Sequence, residues 1–153
     1  MIMSLFTYMI SVWGGKEGYI IKAAQVIQNR AARIVTKKGL FTSQKNLLSE
    51  TNWLSIRQMI TFHSILQIWR VRKSNRPEYL NDIFNPNYNQ QTRMVRNGNI
   101  RIPDTETSLG KNALRIRGAT WWNSLPPDLK MFSGDVLSFK RELKKWVKTN
   151  TEM

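Results

Sequence analysis

Ten carboxylates, one histidine and no cysteine are the side chains from which this chain of 153 residues could build a catalytic or metal site. Polymerases and nucleases need two or more carboxylates that converge on Mg²⁺. The closest acidic pair along the chain is Asp104 and Glu106, in a Thr-rich stretch typical of a solvent-exposed loop. The sequence therefore predicts no catalytic residue and no metal site, and we expect that the chain is not an enzyme.

The other reactive residue types lead to the same expectation. Without cysteine the chain has no disulfide, no thiol catalysis, no iron–sulfur cluster and no cysteine-containing zinc site. His63 lies among apolar residues at helical spacing, which favours a hydrogen-bonded core histidine over a catalytic one. The sequence contains no phosphate-binding loop and no nucleophile motif. We expect no cofactor and no small-molecule substrate.

The charge balance points to a polyanionic partner. The chain has 24 Lys and Arg against 10 Asp and Glu, a formal net charge of +14. Such an excess favours RNA, DNA or an anionic membrane surface, although a basic soluble protein without such a partner is the alternative. Charge of this kind gives affinity for phosphates but not recognition of a base sequence.

The cations recur at helical spacing in residues 20–38 and 135–148, and they also cluster at residues 70–73. Basic helix faces of this kind bind phosphates, although a solvated cationic face has the same pattern. A membrane is the less favoured partner, because the core of so small a domain needs both apolar stripes. The predicted nucleic-acid-binding residues are Lys22, Arg30, Arg33, Lys37, Arg70, Arg72, Lys73, Lys140, Arg141, Lys144, Lys145 and Lys148.

Two adjacent tryptophans precede the turn at residues 124–129. The helical wheel places Trp121 on a core stripe with Leu114, Gly118 and Leu125, and Trp122 at the edge of that stripe. Core or turn packing is the favoured interpretation, since large aromatic residues at helical spacing bury area first. Trp122 remains the candidate for stacking on a base, which would need an exposed ring beside cations.

The pattern of apolar residues predicts a mainly α protein, a small helical domain of about five helices with one β-hairpin in a long irregular connection. The helix over residues 20–38 is expected to bury Ile20, Ala24, Ile27, Ala31, Ile34 and Val35. A helix from about 55 to 73 is apolar nearly all round and should be central. Asn97-Gly98 is the hairpin turn signal. We divide the chain into an N-terminal helical part (1–76), a connection with the hairpin (77–110) and the C-terminal basic helices of the same domain (111–153).

Several strings in the chain resemble the C-terminal end of LINE-type (non-LTR, jockey-like) retrotransposon reverse transcriptases. They are "SVWGG", "VIQNRAARIVTKK", "LLSETNWLSIRQ", "RPEYL", "GNIRIPDTETSLGKNALRIRGATWWNSLPPDL" and "SFKRELKKW", in the family's order and spacing, from about Tyr8 to Trp146. The resemblance implies a region downstream of the polymerase palm and thumb, with the upstream reverse transcriptase domain as a partner. The palm carboxylates and the endonuclease are missing, so no catalytic residue is carried over. Met1 would then be an internal methionine of a longer reading frame.

The expected function is therefore non-catalytic binding of element RNA or target DNA, by a protein inside the cell, nuclear or cytoplasmic and not secreted. Two alternatives remain open from the sequence. One is a helical protein-interaction module retained by the host, and the other is a translated relic without a function of its own.

Overall fold

The computed structural model describes residues 2–8, 10–15, 18–74, 77–84 and 98–150, and throughout these ranges the only regular secondary structure is helical. The mainly α prediction is therefore confirmed. Five of the described helices have eight or more residues. In chain order the helices are α1 (Ile2–Thr7), α2 (Ile10–Trp13), α3 (Gly18–Thr36), α4 (Gln44–Thr51), α5 (Ile56–Ser74), α6 (Glu78–Phe84), α7 (Ser108–Lys111), α8 (Leu114–Asn123), α9 (Pro127–Lys130) and α10 (Val136–Asn150).

Helix α5 is the centre of the structure, as its sequence predicts. Buried residues lie on all its sides, because it carries apolar side chains nearly all round. Helices α2, α3, α6, α8 and α10 all pack against it. The buried core cluster runs from Ile10 near the N-terminus to Val147 in α10 and includes Phe84 and Ile100 between them.

Two glycines let neighbouring helices approach α5 closely. A Cβ atom at Gly118 in α8 would lie 2.9 Å from Cδ1 of Ile68, and one at Gly14 would lie 2.7 Å from the side chain of Ile60. Both distances are far shorter than ordinary contacts between carbon atoms. A glycine on the core stripe of the helical wheel thus permits the close approach of α8 to α5.

The predicted core face of α3 is only partly right. Ala31 is buried as expected, but Ile27 and Ile34 are exposed, and the other fully buried residues of the helix are Gln28 and Ala32. The helix is thus rotated about its axis relative to the hydrophobic pattern. The buried sector is centred on a glutamine rather than on isoleucines.

A network of amide side chains accounts for this rotation. Gln28 donates through Nε2 to the carbonyl oxygen of Leu54 at 2.8 Å, and Oε1 of Gln25 accepts from the backbone N–H of Ile56 at 2.9 Å. Gln25 also donates to Oε1 of Gln28 at 2.8 Å. The backbone groups that precede or begin α5 have no intrahelical partner, and the two glutamines satisfy them. Buried polar groups need such partners, so the network fixes the orientation of α3.

The predicted β-hairpin is wrong as far as the described residues test it. Its first strand, Met94-Val95, and Asn97 lie outside those residues, and its second strand, 100–102, has no strand structure. Gly98 does adopt the left-handed conformation, with φ of 67°. The backbone of Ile100 is paired by the side chain of Asn123, which accepts from its N–H and donates to its carbonyl, both at 2.8 Å. An amide side chain thus takes the place of the expected partner strand.

Ser43 and Asp135, two residue types that favour the N-cap position, begin helices α4 and α10. Oγ of Ser43 accepts from the backbone N–H of Asn46, and Oδ2 of Asp135 accepts from Leu137 at 2.8 Å and Ser138 at 3.1 Å. These are the bonds of helix N-caps. Hydrogen bonds from Ser138 hold the pKa of the Asp135 carboxyl below its usual value.

Replacing Gln28 with methionine should destabilise the fold by about 1–3 kcal/mol, because a side chain of similar size then leaves the Leu54 carbonyl and the Gln25 amide without their buried partner. Urea denaturation followed by circular dichroism measures the effect. Gln67→Met in the half-buried edge of α5 is the matched control, with an expected change below about 0.5 kcal/mol. Equal stability of the two variants would contradict the role assigned to the network.

Candidate nucleic-acid interface

The candidate interface lies where α10 runs antiparallel to α5. The rings of Trp69 and Phe139 stack with centroids 4.5 Å apart, which pairs the C-terminal part of α5 with the first turn of α10. At one end Lys73 donates to the carbonyl oxygen of Gly134, and at the other Lys148 donates to Oδ1 of Asn52, just before α5. The basic side of α10 is thereby held along one edge of α5.

Arg70 of α5 and Lys140 of α10 are electrostatically close to His63. Burial, followed by the positive charges of Arg70 and then Lys140, lowers the pKa of the half-buried imidazole of His63. Burial and the charge of Lys148 likewise lower the pKa of Lys144. These groups therefore share one electrostatic neighbourhood that is short of negative charge.

Carboxylates do little to neutralise this edge. The part of the chain that the structure describes contains two ion pairs, Lys145 with Glu142 at 2.8 Å and Lys38 with Glu50 at 3.7 Å. Arg70, Lys140, Arg141 and Lys144 have no carboxylate within ion-pair distance among the described residues. We call Arg70, Lys140, Arg141, Lys144 and Lys148 the α5–α10 basic surface.

Two predicted cations of the 70–73 cluster have structural partners. Nη1 of Arg72 donates to the carbonyl oxygen of Gly98 at 2.9 Å, and the guanidinium lies 5.1 Å from the centroid of the Trp122 ring. Burial lowers the pKa of Arg72. Lys73 donates to the carbonyls of Ser133 and Gly134 and lies over the ring of Trp69 at 4.8 Å. Arg72 therefore links α5 to the segment before α7, and Lys73 links α5 to the segment after α9.

A cavity of about 270 Å³ lies among these cations. Lys130 also lines it and donates to Oδ1 of Asn99 at 2.8 Å and to the carbonyl oxygen of Asn123 at 2.7 Å. Every cation of the lining is thus already bonded to an oxygen of the protein. At this cavity the cations hold distant segments of the chain together through their hydrogen bonds, and we assign the cavity no ligand.

The predicted cations of α3 occupy a different helix surface. Lys22, Arg30 and Lys37 are exposed. Arg33 is half-buried, and its Nη2 lies 3.5 Å from the carbonyl oxygen of Thr42, so it contacts the loop before α4. Helix α3 packs on α4 and α5, whereas α10 packs on α5 and α9. The twelve predicted cations therefore lie on more than one helix surface and do not form a single continuous patch.

The tryptophan pair is core, but in the opposite order from the one predicted. Trp122 is only 1% exposed, and its Nε1 donates to the carbonyl oxygen of Gly98 at 2.9 Å. Trp121 is half-buried, with the guanidinium of Arg117 5.1 Å from its ring centroid. The ring of Trp122 therefore lacks the exposed face that stacking on a base would need. The stripe shifts by one residue because α8 buries Gly118 and Ala119 together against α5.

Sequence reasoning missed two cations that organise the fold. Lys130 carries the contacts at the cavity, and Nη2 of Arg117 donates to the carbonyl oxygen of Ser11 at 2.9 Å, which ties α8 to α2. Burial lowers the pKa of both. Lys130 could have been found from its position in the last turn of a helix that begins with proline. No local feature of the sequence marks Arg117 in the same way.

Comparison of the chain with protein families, with curated proteins and with solved structures finds no match. Within the described ranges, no three His, Asp or Glu side chains are grouped so that they could hold a metal ion. None of the described helices combines the length and hydrophobicity that are needed to cross a bilayer. The charged surfaces are therefore the candidate functional sites of the described structure.

Trp122→Phe should lower the free energy of unfolding by about 2 kcal/mol, because the Gly98 carbonyl loses a buried donor and the smaller ring leaves space. Trp121→Phe, on the half-buried neighbour, should cost less than about 1 kcal/mol. Chemical denaturation of both variants, followed by circular dichroism, provides the comparison. A larger loss of unfolding free energy for Trp121→Phe than for Trp122→Phe would contradict this assignment and support the helical wheel, which places Trp121 in the core.

Proposed function

We propose that this chain binds nucleic acid without catalysis, through the phosphate backbone and the α5–α10 basic surface. The observation that carries the proposal is the group formed by Arg70, Lys140, Lys144 and Lys148 along two antiparallel helices, with no carboxylate at ion-pair distance from any of them among the described residues. Cations that are close together and unpaired repel one another, and a polyanion relieves that repulsion.

The geometry also favours a backbone ligand over a recognised base. The surface consists of flexible Lys and Arg side chains at i, i+4 and i+8 on one helix, which follow a row of phosphates. Trp122, the aromatic candidate for base stacking, is buried. Binding should therefore depend steeply on salt and weakly on base sequence.

The resemblance to the C-terminal region of LINE-type reverse transcriptases supports the same proposal. In that setting the ligand would be element RNA or target DNA, and the upstream reverse transcriptase domain would supply the chemistry. The chain itself would contribute affinity and position.

Arg70→Gln/Lys140→Gln/Lys144→Gln should weaken RNA binding roughly ten- to hundredfold at about 0.1 M salt. The slope of log affinity against log salt should become shallower by about 2–3, because up to three phosphate contacts are lost. Fluorescence anisotropy with a labelled single-stranded RNA measures both quantities.

Lys22→Gln/Arg30→Gln/Lys45→Gln is the matched control, since it removes three exposed cations from α3 and α4 and lowers the net charge by the same amount. This variant should keep most of the affinity and the slope. If the two triple variants lose affinity equally, net charge alone accounts for binding and the assigned surface is wrong.

Binding should become tighter as pH falls from about 7.5 to about 5.5. In the free protein, burial and then the positive charges of Arg70 and Lys140 hold the pKa of His63 below its usual value, which favours the neutral imidazole. Bound phosphates offset the two positive charges, raise this pKa and couple binding to proton uptake. The expected gain in affinity is about tenfold for each unit by which the pKa rises.

His63→Gln isolates this effect, because His63 is the chain's one histidine and cysteine is absent. The variant should bind at pH 7.5 as the natural chain does and show little gain at pH 5.5. An unchanged pH dependence in the variant would place the proton uptake elsewhere.

The free chain should itself lose stability as pH falls below about 6.5, because the unfolded state binds the proton more readily.

A further inference from the structure

Helix α3 presents a stripe of four exposed apolar side chains, interrupted by Arg30, that nothing in the described structure covers. Tyr19, Val26, Ile27 and Ile34 follow one another at i, i+7, i+8 and i+15, with exposed fractions between 50% and 79%. This spacing places them on one side of the helix, opposite buried Gln28. The stripe is about 22 Å long at 1.5 Å per residue. Single exposed apolar residues are ordinary on protein surfaces, whereas four large ones on one side of a helix, with cations among them, indicate an interaction site.

The amide network explains why these side chains stay outside. Gln25 and Gln28 bond to the start of α5 and so point the buried sector of α3 inward. The isoleucines of the opposite sector then face away from the core. Leu40 and Phe41, which follow α3, are also almost fully exposed, at 81% and 103%.

The stripe lies in a strictly cationic segment. Residues 18–41 contain five Lys and Arg and no Asp or Glu. Lys22 and Arg30 project from the exposed side of α3 itself. Lys38 is the cation of the segment that forms an ion pair, with Glu50 of α4. A partner for this surface must therefore offer apolar side chains and negative charge together.

We propose that the outer face of α3 binds an acidic amphipathic helix of another protein. The apolar side chains of that helix contact Val26, Ile27 and Ile34, and its carboxylates contact Lys22 and Arg30. A helix of about 15 residues matches the length of the stripe. Helix-on-helix docking of this kind uses anchors at i, i+3, i+4 and i+7. The inference is independent of nucleic-acid binding, which uses α5 and α10.

Charge argues against a second copy of this chain as the occupant. Two α3 faces in contact would bring Lys22 and Arg30 against the same cations of the partner copy, without a carboxylate in the segment to separate them. An anionic membrane would match the charge. However, Arg30 lies between Tyr19 and Ile34 within the stripe, where insertion into lipid would bury its guanidinium.

A labelled synthetic helix of about 18 residues tests the proposal, with Leu at helical spacing on one face and Glu on its flanks. Fluorescence anisotropy with the full chain should show saturable binding. Ile27→Ser/Ile34→Ser should weaken it at least about tenfold, and Lys22→Glu/Arg30→Glu should abolish it. Because these four side chains are exposed, the variants should keep the circular dichroism and denaturation midpoint of the natural chain.

Three controls make the outcome specific. Leu137→Ser, which removes an exposed apolar residue from α10, should leave peptide binding unchanged. Arg70→Gln/Lys140→Gln/Lys144→Gln should also leave it unchanged, which keeps failure of this inference separate from failure of the nucleic-acid proposal. A peptide with Ala in place of Leu, and one with Lys in place of Glu, should both bind at least about tenfold more weakly.

The proposal is overturned if the acidic peptide does not bind, or if the Ile27→Ser/Ile34→Ser chain binds it unchanged. It is also overturned if sedimentation velocity finds a dimer that these substitutions dissociate, because the occupant is then a second copy. Binding to phosphatidylserine vesicles that depends on Ile27 and Ile34, without binding to the peptide, assigns the stripe to a membrane and overturns it as well.

Discussion

Helix α5 carries buried apolar side chains on nearly every side, and the arrangement of the other helices follows from this constraint. An all-round apolar helix is stable in a soluble domain only when other elements cover it on every side. Helices α2, α3, α6, α8 and α10 provide that cover. Gly14 and Gly118 let two of them approach closely. In a chain of this size, few elements remain to cover the outer faces of the covering helices, and those faces are where the candidate surfaces lie.

The positive charges divide into two groups with different physical roles. Arg72, Arg117 and Lys130 are partly removed from water, and carbonyl oxygens and an indole face offset the loss of hydration. They hold together segments that are distant along the chain. Arg70, Lys140, Arg141 and Lys144 lack carboxylate partners among the described residues, so they are available to a polyanion.

The two proposed surfaces have different chemistry because α3 and α10 meet α5 differently. Helix α10 buries Phe139, Leu143 and Val147 in the core and leaves cations outside. Helix α3 is anchored by glutamines, so part of its apolar side remains outside among cations. The first surface suits phosphates alone, whereas the second suits a ligand that is both apolar and acidic.

The sequence by itself determined the helical class, the central position of α5, the helix starts at Ser43 and Asp135 and the close approach at Gly118, because local periodicity and capping chemistry encode these features. Tertiary structure decided which sector of α3 is buried, which tryptophan lies in the core and what pairs the backbone of Ile100. Each of these depends on a polar bond between residues more than 20 positions apart, such as Gln28 to Leu54 or Trp122 to Gly98. The periodicity of apolar residues does not encode such bonds. The free-energy cost of leaving a buried polar group unpaired arises only when the chain has folded around that group.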